Sequence, residues 1–136
     1  MSIYFDHAAT APLDKEVLAE MMPYFGVVYG NANSQHSFGQ EAAKAVLNAR
    51  RRISQAIGAP HAKYLDIYFT SGGTEADNWA IRGIASAYRE KGNHIITSQV
   101  EHPAVYNTCK ILEKQGFEVT YLPVDEGGQV RPETLE

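Results

Sequence analysis

Apolar residues recur along this chain with two different periods. After a short apolar start, Ile3-Tyr4-Phe5, the residues Val17, Leu18, Met21, Met22 and Phe25 fall at helical spacing. Asp14 stands where an N-cap belongs, and Pro23 predicts an early end or a kink. Residues 26–35 show no periodicity, and Gly30-Asn31-Ala32-Asn33-Ser34 is rich in turn formers, so this stretch reads as a loop. A longer helix follows. Ser37 and Gln40 have capping-box spacing, and Ala42, Val46, Ala49, Ile53 and Ala56 form the expected buried stripe. Gly58 is placed to stop this helix, with Pro60 just beyond.

From Tyr64 the period shortens. Leu65, Ile67 and Phe69 alternate with Tyr64, Asp66 and Tyr68, which predicts a strand. Ser71-Gly72-Gly73-Thr74 turns the chain. Trp79, Ala80, Ile84 and Tyr88 then mark an amphipathic helix that ends near Lys91-Gly92. Ile95-Ile96-Thr97 reads as a second strand. The next helix spans about residues 103–115, with Pro103 suited to its first position and Gly116 to its stop. A third strand over residues 117–122 leads to the turn Asp125-Glu126-Gly127-Gly128, and Arg131-Pro132-Glu133 reads as the start of another helix. Strand-helix-strand-helix-strand predicts an α/β fold with a parallel-type sheet, flanking helices and right-handed crossovers. Ligands of such sheets sit at the C-terminal ends of the strands. The loops after Phe69 and after Thr97 are therefore the places to search for chemistry.

Composition narrows the function classes. The 136 residues are enough for one domain with a real core, and 44% hydrophobic with 21% charged residues is a globular balance. A net charge of −4 gives no electrostatic case for a nucleic-acid partner. Cys109 is the single cysteine, so no intrachain disulfide forms, which fits a reducing compartment. No apolar run approaches the roughly 18 residues of a membrane span, so no membrane partner is expected. The first residues lack a basic segment followed by an apolar one, so no signal peptide is expected. The expected location is the cytoplasm.

Two loops hold the candidate residues. In Thr70-Ser71-Gly72-Gly73-Thr74-Glu75 two glycines turn the backbone into a helix start. Free N–H groups there, helped by the helix dipole, suit a phosphate, and the Thr74 hydroxyl adds a donor. The plainer alternative is that Thr74, at capping-box spacing from Asp77, caps its own helix. The loop is not a Walker loop, since no Gly-Lys-Ser/Thr follows, and it lacks the third glycine of the dinucleotide fingerprint. In the second loop, Gln99-Val100-Glu101-His102-Pro103, an imidazole just before a helix has three uses open to it. It can stack on a flat cofactor, transfer a proton, or act only as a surface or capping group. His7, His36, His61 and His94 show no zinc-ligand spacing, so no metal site is expected. Arg50-Arg51-Arg52 reads as a solvated helix face, and Cys109 as a small buried core residue.

Five stretches together resemble the NifS-like cysteine desulfurases of the class V aminotransferase group. They are Tyr4-Phe5-Asp6-His7-Ala8-Ala9-Thr10, Gly30-Asn31-Ala32-Asn33-Ser34-Gln35-His36, Phe69-Thr70-Ser71-Gly72-Gly73-Thr74-Glu75-Ala76-Asp77-Asn78, Glu101-His102-Pro103-Ala104-Val105 and Gly116-Phe117-Glu118-Val119-Thr120-Tyr121-Leu122-Pro123-Val124-Asp125. Their order and spacing agree with the group along nearly the whole chain.

The resemblance implies part of a type I fold dependent on pyridoxal 5′-phosphate (PLP). Residues 1–15 would belong to the small domain or its linker, and residues 16–136 to an incomplete PLP-binding large domain. It implies that the backbone at Gly73 and the backbone and hydroxyl of Thr74 hold the cofactor phosphate. His102 would stack on the pyridine ring and assist proton transfer, and Ala9, Thr10 and Asn33 would lie near the substrate. The implied reaction converts L-cysteine to L-alanine and leaves persulfide sulfur for iron–sulfur cluster or thio-cofactor assembly. A homodimer and a sulfur-acceptor protein are the implied partners.

There are departures. His7 stands where many relatives have asparagine, and Ala32-Asn33 replaces a more usual Pro-Ser, which leaves the exact substrate open. Members of the group are much longer. Their pyridine-pairing aspartate, anchoring lysine and sulfur-accepting cysteine come later, and none of Lys15, Lys44, Lys63, Lys91, Lys110, Lys114 or Cys109 matches them. The 136 residues alone are therefore expected to be inactive. The alternatives are a related class V enzyme (selenocysteine lyase, kynureninase or aminotransferase) and a non-catalytic structural module.

Overall fold

A computed structural model describes residues 3–59 and 66–135. The chain divides into two compact units, Met1–Tyr68 and Phe69–Glu136.

In the first unit, helix α1 (Lys15–Met21) is capped by Asp14, whose Oδ1 accepts from Glu16 N at 2.7 Å and Val17 N at 3.4 Å. At Pro23 the chain tightens into one 3-10 turn, Met22–Phe25. Helix α2 spans Ser37–Ala56. Its cap is His36, not Ser37: the imidazole Nδ1 accepts from Gly39 N at 3.3 Å and takes the part expected of the hydroxyl. Gln40 turns back to the Gln35 carbonyl at 2.9 Å. Gly39 is buried because the preceding loop lies directly on it; a Cβ there would run into the carbonyls of Ser34 and Asn31.

The end of α2 is a Schellman turn. Gly58, at φ +70°, donates to Gln55 O at 3.1 Å, and Ala59 donates to Ser54 O at 2.9 Å. The expected stripe on α2 is only partly realised. Ala42 is buried and Ala49 half-buried, whereas Val46, Ile53 and Ala56 are exposed. The buried positions are instead Gly39, Ala42 and Ser54, because the loop at its start and the turn at its end cover those faces.

The second unit contains helix α3 (Gly73–Tyr88), strand β1 (His94–Ser98), helix α4 (Pro103–Lys114) and strand β2 (Glu118–Leu122). The strands are parallel, with Ile95 opposite Val119 and Thr97 opposite Tyr121. α4 makes the crossover between them, as the strand-helix-strand pattern requires. Pro103 opens α4, and Gly116 at φ +90° closes it in a second Schellman turn. There Gly116 donates to Glu113 O at 3.0 Å, and Phe117 donates to Leu112 O at 3.1 Å. That turn delivers Phe117 onto Leu112. The two form a core with Ala85, and Ile81 and Ile95 pack against it. Burying each large side chain contributes roughly 1.5–3 kcal/mol.

Three expectations need correction here. No strand is formed over residues 66–69; residues 64 and 65 lie outside the described residues. Alternation places side chains, but a strand also needs a ladder partner, and among the described residues β1 and β2 pair only with each other. On α3, Trp79, Ile84 and Tyr88 are exposed, and the inward face carries Asn78, Ile81 and Ala85. Packing against α4 selects that narrower face. The turn at residues 125–129 forms as expected, with Asp125 Oδ1 accepting from Gly127 N and Gln129 N at 3.0 Å each. The helix expected after Arg131 is a single 3-10 turn, Pro132–Leu135.

Candidate active site

Helices α3 and α4 lie side by side and point the same way. Near their starts, Thr108 Oγ1 lies 2.7 Å from Asn78 Oδ1, and Asn78 Nδ2 lies 3.4 Å from the Ala104 carbonyl. Near their ends, Arg89 donates to the Gln115 carbonyl at 2.9 Å. Both N-termini, the positive ends of the helix dipoles, therefore open in one direction. The turn carrying Gly73 and Thr74 forms one of these ends, and His102 forms the other.

The start of α3 leaves its first backbone N–H groups without a side-chain cap. Gly72 is the N-cap, in an extended conformation, and no side chain caps the helix. The expected alternative of a Thr74 cap is thereby corrected, because Thr74 lies one position inside the helix. The first N–H groups of a helix have no intrahelical acceptor. A Cβ added at Gly72 or Gly73 would meet nothing within 4 Å, so the backbone is accessible to an approaching group. The turn is held by its own side chains. Glu75 Oε2 accepts from Ser71 N at 2.7 Å and from Ser71 Oγ at 2.6 Å, and Thr70 Oγ1 donates to Gly72 O at 3.1 Å. The bonds from the Ser71 hydroxyl and then the Ser71 backbone hold the Glu75 carboxyl below its ordinary range.

His102 is the N-cap of α4: its Nδ1 accepts from Ala104 N at 3.1 Å. The capping role left open by the sequence is real, and it does not use up the ring. With Nδ1 committed as acceptor, Nε2 is the nitrogen left for another partner, and the residue is exposed. Nearby, Ser98 Oγ donates to Glu101 at 2.9 Å and steadies the loop that leaves β1.

Asn78 and Thr108 were given no role by the sequence reasoning. Thr108 is 1% exposed, and its hydroxyl also lies 2.7 Å from Ala104 O. Asn78 Nδ2 additionally donates to Thr74 O at 2.8 Å. The available signal was a polar residue in line with Ile81 and Ala85, since a polar group on a packed face requires a partner.

The structure gathers Gly73, Thr74 and His102 in the second unit. Ala9, Thr10 and Asn33 lie in the first. There Ala9 and Thr10 donate to Asp6 O at 3.1 and 3.3 Å, and Asn33 N donates to Asn31 Oδ1 at 2.9 Å. A groove of about 520 Å³ runs along the α3–α4 seam past Trp79, Arg82 and Phe117. Glu75 and Asn78, which hold the turn at the start of α3, line this groove, but none of Gly73, Thr74 and His102 does. Cys109 is buried, and burial, aided by Glu101 and Glu113, pushes its thiol up, which is the opposite of what a nucleophile needs. Among the described residues, no three of His, Cys, Asp and Glu are grouped to hold a metal ion, and no helix is long and apolar enough to cross a membrane.

The chain that carries this glycine turn and this histidine cap is similar to known proteins. The sequence profile of the aminotransferase class-V family matches residues 3–136. The chain belongs to the aminotransferase class-V family. The cysteine desulfurase IscS of Methanosarcina thermophila is 52% identical over 98% of this chain and 32% of its own length. IscS of Dictyoglomus turgidum is 53% identical over 98% of the chain and 33% of its own length. The class-V chain thus spans about a third of the length of these relatives. Among solved structures, a NifS-like protein superposes with a TM-score of 0.92 at 39% identity, covering 99% of this chain and 36% of that one. A structure described as SspA in complex with cysteine gives a TM-score of 0.79 at 40% identity, covering 89% of this chain and 34% of its own. The expected α/β fold of the NifS-like group is thereby established.

Proposed function

We propose that this chain is the phosphate- and ring-holding part of a PLP-dependent cysteine desulfurase. The observation that carries the reading is the parallel alignment of α3 and α4, with Gly73 and Thr74 at one N-terminus and His102 at the other. The donor set fits the cofactor. The Gly73 and Thr74 N–H groups and the Thr74 hydroxyl bind the phosphate. His102 lies against the ring and holds or passes a proton at Nε2, while its Nδ1 stays on Ala104 N. PLP, when bound, supplies the electron sink for the chemistry at the substrate α-carbon.

Ala9, Thr10 and Asn33 line the approach of L-cysteine in this reading, and the similarity to proteins named cysteine desulfurase supports that substrate. The products are L-alanine and a persulfide sulfur for iron–sulfur cluster or thio-cofactor assembly, with a sulfur-acceptor protein as partner. The protein acts as a cytoplasmic homodimer. Residues 1–15 serve the small domain or its linker, and residues 16–136 are part of the large domain. The 136 residues by themselves are inactive, since no lysine or cysteine among them matches the family's anchoring lysine or sulfur acceptor.

The test uses the protein at its natural length, with PLP and with L-cysteine, L-selenocysteine or kynurenine as substrate. Alanine release from L-cysteine is expected, and Thr74→Val is expected to weaken PLP binding roughly tenfold, the loss of one hydrogen bond to a charged group. Failure to bind PLP, or turnover of kynurenine in place of L-cysteine, would overturn the reading.

A further inference from the structure

We infer that Asn78 and Thr108 are positioning residues: a side-chain brace, anchored at the buried Thr108, that fixes the phosphate turn relative to His102. The inference rests on the proposed PLP site. The carboxamide of Asn78 stands between two peptide carbonyls, 2.8 Å from Thr74 O and 3.4 Å from Ala104 O. Thr108 holds that carboxamide in place, with its hydroxyl 2.7 Å from Asn78 Oδ1 and 2.7 Å from Ala104 O. The one hydroxyl proton is shared between two acceptors. Ala104 also holds His102, because its N–H, in the preceding peptide group, donates to the imidazole Nδ1 at 3.1 Å. A path of hydrogen bonds joined through the Ala104 backbone thus runs from the residue that holds the phosphate to the residue that meets the ring.

Burial explains why the path is stiff. Thr108 is 1% exposed and Ala104 is 6% exposed, so water is kept from the Thr108–Ala104 bond at the centre of the path, while the bond from Asn78 to Thr74 O lies at the exposed end. A flat, rigid ligand has a fixed span from phosphate to ring. Its two grips therefore act together only if their separation is fixed before binding, and that separation is set by how α3 and α4 start beside each other. Apolar contacts lower on the helices, around Ala85 and Leu112, hold the pair together, and the bonds of Asn78 and Thr108 join their first turns.

The experiment compares Thr108→Val, which keeps the shape and removes the hydroxyl, with Thr108→Ser, which keeps the hydroxyl. Both are made in the protein at its natural length. PLP dissociation constant, the visible circular dichroism of the bound cofactor and Tm are measured for each. The expected result is an increase in dissociation constant of about fivefold for Thr108→Val, with an altered dichroic band, and recovery of both in Thr108→Ser. Asn78→Ser is the second variant and reports alone if Thr108→Val does not fold, because Asn78 is only half-buried. Asn78→Ser combined with Thr108→Val should be no worse than the weaker-binding single variant, since either change breaks the same path.

Unchanged affinity and dichroism in Thr108→Val, with only Tm lowered, would overturn the brace and leave the site intact. The same two readouts unchanged in Asn78→Ser would also overturn it. Absence of PLP binding by the unsubstituted protein would overturn the site itself, and the brace with it.

Discussion

At the start of α3 the Glu75 carboxylate accepts from both the N–H and the hydroxyl of Ser71. These bonds close the turn that presents Gly73 and Thr74. They also make the turn sensitive to pH in a definite direction. The carboxyl is depressed below its ordinary value of 4.5 in the folded chain. Its contribution is therefore fully present above that value and is lost as pH falls through the lower, folded one. The Ser71 amide proton, followed by NMR on acidification, should keep its downfield shift and slow exchange until below the ordinary carboxyl range. A Ser71 amide that titrates at or above 4.5 would mean that the Glu75 bond does not hold the turn. At this level the sequence was informative wherever the chemistry is local. Two glycines before a helix, and a histidine before Pro103, can be read from neighbouring letters. Asn78 and Thr108 could not be read so, because their roles depend on contact across 30 positions.

Helix ends were legible for the same reason. Asp14, Gly58, Pro103 and Gly116 act where the sequence placed them, since capping and left-handed turns are decided within a few residues. Gly116 gives a clean measurement of this. It sits at φ +90°, and an added Cβ would meet only the end of the Arg89 side chain at 3.6 Å, an ordinary contact. Gly116→Ala should therefore cost roughly 1–2 kcal/mol through backbone strain alone. Urea unfolding should show a lower midpoint with an unchanged slope. A loss much larger than this would implicate packing around Phe117 instead. Buried faces were less legible. Periodicity offered Trp79, Ile84 and Tyr88 on α3, yet α4 covers Ile81 and Ala85. Which stripe is buried depends on the neighbour, and the neighbour is not written in the stripe. The alternation around Ile67 and Phe69 met the same limit, because a strand is a property of two segments.

The second unit's sheet has two strands, each with an edge that no described residue pairs. An isolated two-stranded sheet is marginal in water, and unpaired edges recruit other chains. The exposed apolar side chains add to this. Phe5, Phe25, Tyr29, Ile57 and Ile84 are all more than half exposed. A net charge of −4 on 136 residues gives only modest repulsion between copies. Residues 1–136 prepared alone should therefore self-associate. Sedimentation velocity across a concentration series should show a weight-average sedimentation coefficient that rises with concentration, together with binding of a hydrophobic dye. Charged substitutions offer a control that separates edges from faces. Ile96→Lys acts on β1, where Ile96 is half exposed, and should reduce association if strand pairing drives it. Ile84→Lys, on the outer face of α3, should reduce it only if helix faces drive it. A chain that stays monomeric and dye-free at every concentration would mean that neither the strand edges nor the exposed apolar side chains recruit other copies.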